Sequence, residues 1–259
     1  MDELWVCNVG AIDYESALDL QERLRGARQT GAIPDVLLML EHDPPVYTRG
    51  RRSRPGELSM GADWYGAQGI SIIETKRGGK VTYHGPGQLV GYGIVAVGDV
   101  VEYVRTLERA LVAALAQEGI EARNRADEGP DYTGVWVANR KIASIGVHVA
   151  RGVAAHGFAV NVDNSLAPFD WVVACGLPDV QMTSIAAETG GVSREFGDVE
   201  PSERLASFAK RAGFAVATAL GLRQRLISLE ALERAAVTTA ELTQPDANTA
   251  SPVGSPAGD

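Results

Sequence analysis

The sequence predicts a single α/β domain, and three features support this fold class. Short apolar runs bounded by turn residues are typical of buried strands, whereas longer runs with apolar residues at helical spacing indicate amphipathic helices. A β-rich block spans residues 133–162. No internal repeat or strong linker interrupts the chain, so residues 1–240 are predicted to form one domain. A disordered tail rich in Pro, Ala, Ser and Gly is expected at residues 241–259.

Residues 4–41 are predicted to contain two strands separated by a helix. Leu4–Val9 and Asp35–Glu41 are apolar runs of strand length, and Asp13 is a suitable N-cap for the helix between them. Residues 42–69 are predicted to form a loop, which two consecutive prolines would keep extended. The apolar run at residues 70–74 is predicted to be a buried strand.

A glycine-rich segment at residues 77–94 follows this run and contains six glycines within eighteen residues. Glycine costs backbone entropy, so such a cluster indicates tight turns or a backbone that approaches a ligand closely. Arg77 and Lys80 flank Gly78 and Gly79, which favours an anionic or carbonyl-bearing ligand. The alternative is a glycine-rich hairpin with solvated charges.

Three helices are predicted after the glycine-rich segment. The most regular pattern begins at Asp99, where Glu102 would complete a capping box, and it ends near Gly119. Ser202–Leu220 has an apolar face at helical spacing, and Ser228–Val237 is a shorter candidate.

The β-rich block is predicted to be an antiparallel meander of three strands. Its first turn is expected at Asn139 and Arg140. Because side chains alternate along a strand, Lys141 and Ser144 are predicted to lie on opposite faces of the second strand.

The composition excludes several classes of protein. Apolar residues make up 45% of the chain and charged residues 22%, which is ordinary for a globular domain. No apolar run reaches the length of about 18 residues that a membrane-spanning helix requires. The acidic N-terminus lacks the basic and apolar regions of a signal peptide, so a cytoplasmic location is expected. Two cysteines cannot form a disulfide framework, and no Cys/His cluster has metal-ligand spacing, so no metal site is predicted.

The charge balance argues against general nucleic-acid binding, because the net charge is −9. One local exception is residues 49–54, which contain four arginines. A solvated basic loop is one interpretation. A docking surface for an acidic partner protein is the other.

Two side chains are candidates for covalent chemistry. Cys175 precedes a Gly-Leu-Pro turn and is either an inert buried thiol or a nucleophile, which would need a base or a cation nearby. Lys141, at a strand start, is a candidate partner, although most such lysines are solvated. His84 is expected to be a structural hydrogen-bonding residue. Neither a phosphate-binding loop nor a nucleophile elbow is found.

Three sequence blocks together resemble the lipoyl(octanoyl) transferase family. They are residues 77–89, residues 139–147, and a block that runs from residue 156 through Cys175 to residue 185. Residues 41–48 fit the same pattern, with Asp43 departing slightly from it. The resemblance covers roughly residues 5–225, and it implies a mixed sheet flanked by helices, as in biotin and lipoate protein ligases.

The resemblance also implies a reaction. An octanoyl group would move from octanoyl-acyl carrier protein to a lysine of lipoyl domains in 2-oxo acid dehydrogenase complexes and of the glycine cleavage H protein. Cys175 would carry the acyl group as a thioester. Lys141 would lower the pKa of that thiol and serve as acid and base. No cofactor is expected. The implied ligand contacts are Arg77, Gly78, Gly79, Lys80, Val81, Thr82, Tyr83, His84, Ser144, Ile145, Gly146, Gly157, Phe158 and Ala159.

Two alternatives stay open from the sequence. An ATP-dependent lipoate or biotin protein ligase on the same fold would use the glycine-rich segment but leave Cys175 idle. A non-catalytic protein that binds an acyl group or its carrier would use the same pocket. Within the transferase hypothesis, backbone amides near Gly78 and Gly79, or near Cys175 and Gly176, are candidates for holding the carbonyl oxyanion.

Overall fold

A computed structural model describes residues 2–54, 56–172, 180–193, 197–198 and 200–242. The strands are β1 Glu3–Ile12, β2 Asp35–His42, β3 Val46–Arg49, β4 Ser71–Glu74, β5 Thr82–His84, β6 Gln88–Ile94, β7 Val135–Val137, β8 Arg140–Ala150, β9 Val153–Asn161, β10 Val192–Ser193, β11 Gly197–Asp198 and β12 Arg223–Leu226. The α-helices are α1 Tyr14–Gln29, α2 Ala62–Ala67, α3 Val100–Gln117, α4 Ala167–Asp170, α5 Ile185–Thr189, α6 Pro201–Ala219 and α7 Leu229–Leu242.

A seven-stranded mixed sheet forms the centre of the fold, in the order β12-β1-β2-β6-β9-β8-β7. β1 pairs in parallel with both β12 and β2, and every other neighbouring pair in this sheet is antiparallel. The predicted meander is confirmed as β7-β8-β9. The predicted mixed sheet with flanking helices is also confirmed.

Two apolar layers cover the two faces of the sheet, because successive side chains along its strands point to opposite faces. On one face α3 and α6 pack through residues such as Leu111 and Phe208 against Val160 and its neighbours. On the other face α1 and α7 pack through residues such as Leu24 and Leu232. The predicted helices at these positions are therefore confirmed.

A second, three-stranded sheet, in the order β4-β3-β5, corrects two predictions. Residues 42–69 are not a continuous loop, because they contain β3 and α2. The run at 70–74 is not a buried strand: β4 is an edge strand whose Ser71 and Glu74 are exposed, and only Ile70 is buried. β3 is buried except at its last residue, so it shows no alternation, and α2 is too short to show a helical period.

Two local details differ from the predictions. Asp99 caps α3 by accepting hydrogen bonds from the backbone of Val101 and Glu102, but the Glu102 carboxylate pairs with Arg109 at 2.6 Å, so the capping box is only half formed. The hairpin turn lies one residue earlier than predicted, at Ala138 and Asn139, and Ala138 has a positive φ of 50°.

The described part of the chain contains no helix that is both long enough and apolar enough to span a membrane. The domain boundary at residue 240 and the tail stay predictions, because residues 243–259 lie outside the described residues.

Candidate active site

A cavity beside β8 and β9 collects most of the predicted site residues. Its lining includes Lys141 and twelve of the fourteen implied ligand contacts. These contacts are Arg77, Gly79, Lys80, Val81, Thr82, His84, Ser144, Ile145, Gly146, Gly157, Phe158 and Ala159. Segments that are far apart in sequence therefore meet at one place in the fold.

The glycine loop, residues 77–80, lies in the connection between β4 and β5 and rests against β8. The amide of Gly78 donates to the carbonyl of Val147 at 2.9 Å. A Cβ atom added at Gly146 would lie 2.8 Å from the carbonyl oxygen of Gly78. Gly146 is therefore required for the close approach of the loop to the sheet.

Arg77 braces this loop from within the protein. Its buried guanidinium donates to the carbonyl of Thr48 at 2.6 Å, to the Thr48 hydroxyl at 2.7 Å and to the carbonyl of Gly78 at 3.0 Å. Arg77 thus lines the cavity and also joins the glycine loop to β3.

Lys141 is buried, with 2% of its surface exposed, at the start of β8. Its ammonium lies 5.2 Å from the ring centroid of Trp136. The Lys141 amide donates to the carbonyl of Gln181 at 2.9 Å, and the amide of Thr183 donates to the Lys141 carbonyl at 2.9 Å. The segment after residue 179 therefore returns to the sheet at Lys141.

A bulge corrects the predicted faces of β8. Val135 pairs with Ala143, but Trp136 pairs with Lys141, so β8 contains one extra residue at this point. The extra residue shifts the alternation, and Lys141 and Ser144 both line the cavity. The prediction that these two side chains lie on opposite faces is wrong.

Gly78 and Tyr83 are the two implied contacts that do not line the cavity. The amide of Gly78 is bonded to β8, and the ring of Tyr83 packs against Tyr47 and Phe169 in the core of the small sheet. Phe158 contributes to the lining, but its ring lies in the core above Gly91. A Cβ atom added at Gly91 would lie 2.1 Å from Cζ of Phe158.

Cys175 lies outside the described residues, but the chain on both sides of it is anchored. Before it, the carbonyls of Pro168 and Trp171 accept hydrogen bonds from the hydroxyls of Tyr47 and Tyr65, at 2.5 and 2.6 Å. After it, Gln181 and Thr183 bond to Lys141, as described above. The role of Cys175 stays a prediction.

An aromatic group formed by Tyr14, Tyr92 and His156 also lines the cavity, and no sequence motif predicted it. Behind it, a ring nitrogen of His42 lies 2.7 Å from the Tyr92 hydroxyl, and the other lies 3.1 Å from the Ile12 carbonyl. These residues come from α1, β2, β6 and β9, so no local motif marks them.

Three buried histidines of this region are neutral at neutral pH. Burial lowers the pKa of His42 to about 4 and that of His156 to about 3. Burial also holds the pKa of His84 well below its ordinary value, and the charge of Arg77 acts in the same direction on His84 and His156. Their imidazoles therefore act as neutral hydrogen-bonding groups.

His156 has a left-handed backbone conformation, with φ at 61°, inside β9. This conformation is costly for a side-chain-bearing residue. The backbone amide of His156 donates to the buried Gln21 side chain at 2.7 Å, which holds the conformation in place. Such strain is common at ligand sites.

A buried chain of amides connects His84 with the segment that bonds to Lys141. The Nδ1 atom of His84 lies 2.8 Å from the side-chain Oε1 of Gln88, and the Gln88 side-chain amide donates to the side-chain oxygen of Asn161 at 2.9 Å. Asn161 in turn donates to the carbonyl of Thr183 at 2.9 Å. The network fixes the two ends of the cavity wall relative to each other.

The mouth of the cavity is formed in part by the connector before β7, which contains a 3-10 turn at Pro130–Tyr132. The Asp131 carboxylate lies 3.5 Å from a guanidinium nitrogen of Arg52 and 3.7 Å from the Lys80 ammonium. Asp131, Arg52 and Thr133 all line the cavity. Only the polarity of this connector was visible in the sequence.

Among the described residues, no group of three or more Asp, Glu, His or Cys side chains is placed to hold a metal ion.

A family model for the lipoyl protein ligase A/B catalytic domain matches residues 13–203. The chain belongs to this family.

Named relatives agree with this assignment. The chain is 49% identical over 183 residues to an octanoyltransferase of Solibacter usitatus, a match that covers 69% of this chain and 80% of the relative. It is 46% identical over 198 residues to an octanoyltransferase of Mycobacterium marinum, covering 71% and 79%. The family resemblance predicted from the three sequence blocks is therefore confirmed.

The fold is shared with a solved structure of a bipartite lipoate protein ligase from Thermoplasma acidophilum. The TM-score is 0.66 at 17% identity, and the match covers 93% of each chain. This likeness concerns the fold, and it confirms the predicted lipoate protein ligase-like architecture.

Because its buried histidines are neutral in the native state, the protein is predicted to lose stability in mild acid. The native state keeps His42 unprotonated down to a pKa of about 4, whereas the unfolded chain takes up the proton near 6.5. The unfolded state therefore binds more protons within this window, and the free energy of unfolding falls as the pH is lowered, by up to about 1.4 kcal/mol per pH unit for this residue. Urea unfolding of His42→Gln should show a shallower pH dependence than wild type. Equal slopes in His42→Gln and wild type would contradict the assignment.

The close contact at Gly146 predicts that even a methyl group disturbs the glycine loop. Gly146→Ala should lower stability by about 1–3 kcal/mol and speed hydrogen exchange of the Gly78 amide, because the new Cβ would displace the loop from β8. Gly98→Ala is the control, since an added Cβ there meets nothing within 4 Å. Unchanged protection of the Gly78 amide in Gly146→Ala would show that the loop does not depend on this contact.

Proposed function

We propose that this enzyme transfers an octanoyl group from octanoyl-acyl carrier protein to a lysine of a lipoyl domain, through a thioester on Cys175. It is an acyltransferase that transfers octanoyl groups in protein lipoylation, in agreement with its relatives named octanoyltransferase. The observation that carries the mechanism is the buried Lys141 in the lining of a cavity that also contains the glycine loop and Ser144.

The cavity suits an acyl chain because its wall follows two paired strands. Gly146 and Gly157 face each other across β8 and β9, and neither carries a side chain that would obstruct the groove. Lys141 lies five positions before Gly146, which corresponds to about 15 Å along a strand. Each methylene buried along this wall contributes about 0.8 kcal/mol, so the depth of the cavity selects the chain length.

In the first step the Cys175 thiolate attacks the thioester carbonyl of the donor. A carbon–sulfur bond to Cys175 forms, the bond to the donor sulfur breaks, and the released donor thiolate takes a proton from the Lys141 ammonium. A cation next to a thiol favours the thiolate, which is the nucleophilic form. Exchange of one thioester for another is nearly balanced in free energy, so the step requires no ATP.

In the second step the acceptor lysine attacks the acyl-Cys175 thioester as a neutral amine. A carbon–nitrogen bond forms, the bond to Cys175 breaks, and the neutral Lys141 removes a proton from the amine. The product amide is more stable than the thioester, which drives the transfer. Of the amides considered for the oxyanion, that of Gly78 is already bonded to Val147. The amides of Gly79, Cys175 and Gly176 are the remaining candidates.

The two anchors of the Cys175 segment support this assignment. The segment leaves the small sheet at Trp171 and rejoins the central sheet beside Lys141. The proposed acceptors are the lipoyl domains of 2-oxo acid dehydrogenase complexes and the glycine cleavage H protein. A cytoplasmic location stays a prediction.

A covalent octanoyl adduct is the direct test of the thioester. Purified enzyme is mixed with octanoyl-acyl carrier protein in the absence of ATP and its intact mass is measured. We expect the mass to increase by one octanoyl group in wild type and to stay unchanged in Cys175→Ala. Cys7→Ala is the matched control, because burial raises the pKa of the Cys7 thiol to about 11, and this variant should acylate normally.

Other outcomes would favour the alternatives. An adduct that persists in Cys175→Ala would place the thioester elsewhere. No adduct in wild type, together with ATP-dependent octanoylation of a lipoyl domain, would show a ligase. Neither reaction would leave a protein that binds acyl groups without catalysis.

Lys141→Met tests the acid–base role while keeping an unbranched apolar stem in the buried site. We expect acylation to slow by about 10²-fold or more and its pH profile to move to higher pH, because the thiolate loses its neighbouring cation. Lys80→Met removes another cation of the cavity lining and should leave the shape of the pH profile unchanged. Equal pH profiles of the acylation rate in Lys141→Met and wild type would refute the role of Lys141.

A further inference from the structure

The proposed mechanism does not use the arginine-rich segment next to the cavity. Four exposed cations, Arg51, Arg52, Arg54 and Lys76, are here called the basic rim. Residues 49–80 contain seven basic and three acidic residues, whereas the whole chain has a net charge of −9. The basic rim is therefore a local reversal of the overall charge, and at Arg52 it extends into the cavity lining.

The backbone of the basic rim is fixed to the glycine loop. The amide of Arg51 donates to the carbonyl of Arg77, and the amide of Arg52 donates to the carbonyl of Gly79, each at 3.0 Å. Gly50, which lies between β3 and these residues, allows the two segments of the backbone to touch. A Cβ atom there would lie 2.5 Å from the Gly79 carbonyl oxygen. These bonds hold the backbone of Arg51 and Arg52 at the mouth of the cavity.

The cations of the rim also act together in space. Burial lowers the pKa of His148 on β8, and the charges of Arg25, Arg51 and Lys76, which are far apart in sequence, lower it further. The acidic groups nearby are few and engaged: Glu74 pairs with Arg49 at 2.9 Å, and Asp131 lies between Arg52 and Lys80. The mouth of the cavity therefore presents excess positive charge.

We propose that the basic rim is the docking surface for an acidic face of the acyl carrier protein that donates the octanoyl group. This inference rests on the proposed function. The donor thioester is held on an arm that contains an anionic phosphodiester, whereas the acceptor is the amino group of a lysine, which is cationic before it reacts. A positive mouth attracts the first and repels the second, so charge favours the donor as the occupant of this surface.

The test compares donors with and without a carrier protein. In Arg51→Glu/Lys76→Glu we expect the KM for octanoyl-acyl carrier protein to rise at least about tenfold and to lose most of its salt dependence, with kcat nearly unchanged. The KM for octanoyl-pantetheine, which has the same thioester without protein or phosphate, should stay within about twofold of wild type. Arg54→Glu should show a smaller effect in the same direction.

The control is Arg109→Glu/Lys210→Glu, which makes the same change in net charge on α3 and α6, on the opposite face of the sheet. An equal rise in KM in this control, or with octanoyl-pantetheine, would overturn the proposal. So would an unchanged KM for the carrier, or a rise confined to the KM for the lipoyl domain, which would assign the rim to the acceptor.

Direct binding separates this inference from the proposed function. Binding of octanoyl-acyl carrier protein to immobilised wild type and to both double variants is measured without an acceptor. If wild type binds the carrier but transfers nothing, the proposed function fails, while weaker binding by Arg51→Glu/Lys76→Glu alone supports the rim. If wild type transfers the octanoyl group and all three proteins bind equally, the rim proposal fails and the proposed function stands.

Discussion

The hydrogen bond between the Gly78 amide and the Val147 carbonyl, 2.9 Å long, is the contact on which the site depends. It joins the small sheet to the central sheet, because the glycine loop connects β4 to β5 and rests on β8. It is possible only because Gly146 leaves room for the Gly78 carbonyl. The loop then forms one wall of the cavity and, through its own carbonyls, holds the backbone of Arg51 and Arg52 at the mouth.

The bulge in β8 has a comparable influence on the other wall. An extra residue turns the buried Lys141 toward the side that Ser144 faces, and backbone bonds to Gln181 and Thr183 hold it there. Burying an ammonium is costly without compensation, and the ring of Trp136 provides part of it. The amide chain from His84 through Gln88 and Asn161 ends at the carbonyl of Thr183, so it links β5 to the segment that bonds to Lys141.

Much of the fold could be predicted because long helices and strands repeat their apolar pattern several times. β3 and α2 could not, since four and six residues are too few to display a period. The glycine loop was recognisable because clustered glycines are unusual. The relative faces of Lys141 and Ser144 were not, because the bulge is a property of the pairing between β7 and β8 and not of either strand alone. The aromatic group at Tyr14, Tyr92 and His156 is assembled from distant segments, so it had no local signature.

The anchoring of the chain on either side of Cys175 has a consequence for how this region can vary among family members. Nine residues separate Trp171, held by the Tyr65 hydroxyl, from Gln181, held by the Lys141 amide. The two fixed ends make this span sensitive to the number of residues in it and, apart from Cys175 and Gly176, more tolerant of their type. Insertions and deletions would alter the reach between the anchors, whereas substitutions would preserve it. Around Cys175 itself, natural diversity is therefore expected to take the form of exchanged side chains at constant length.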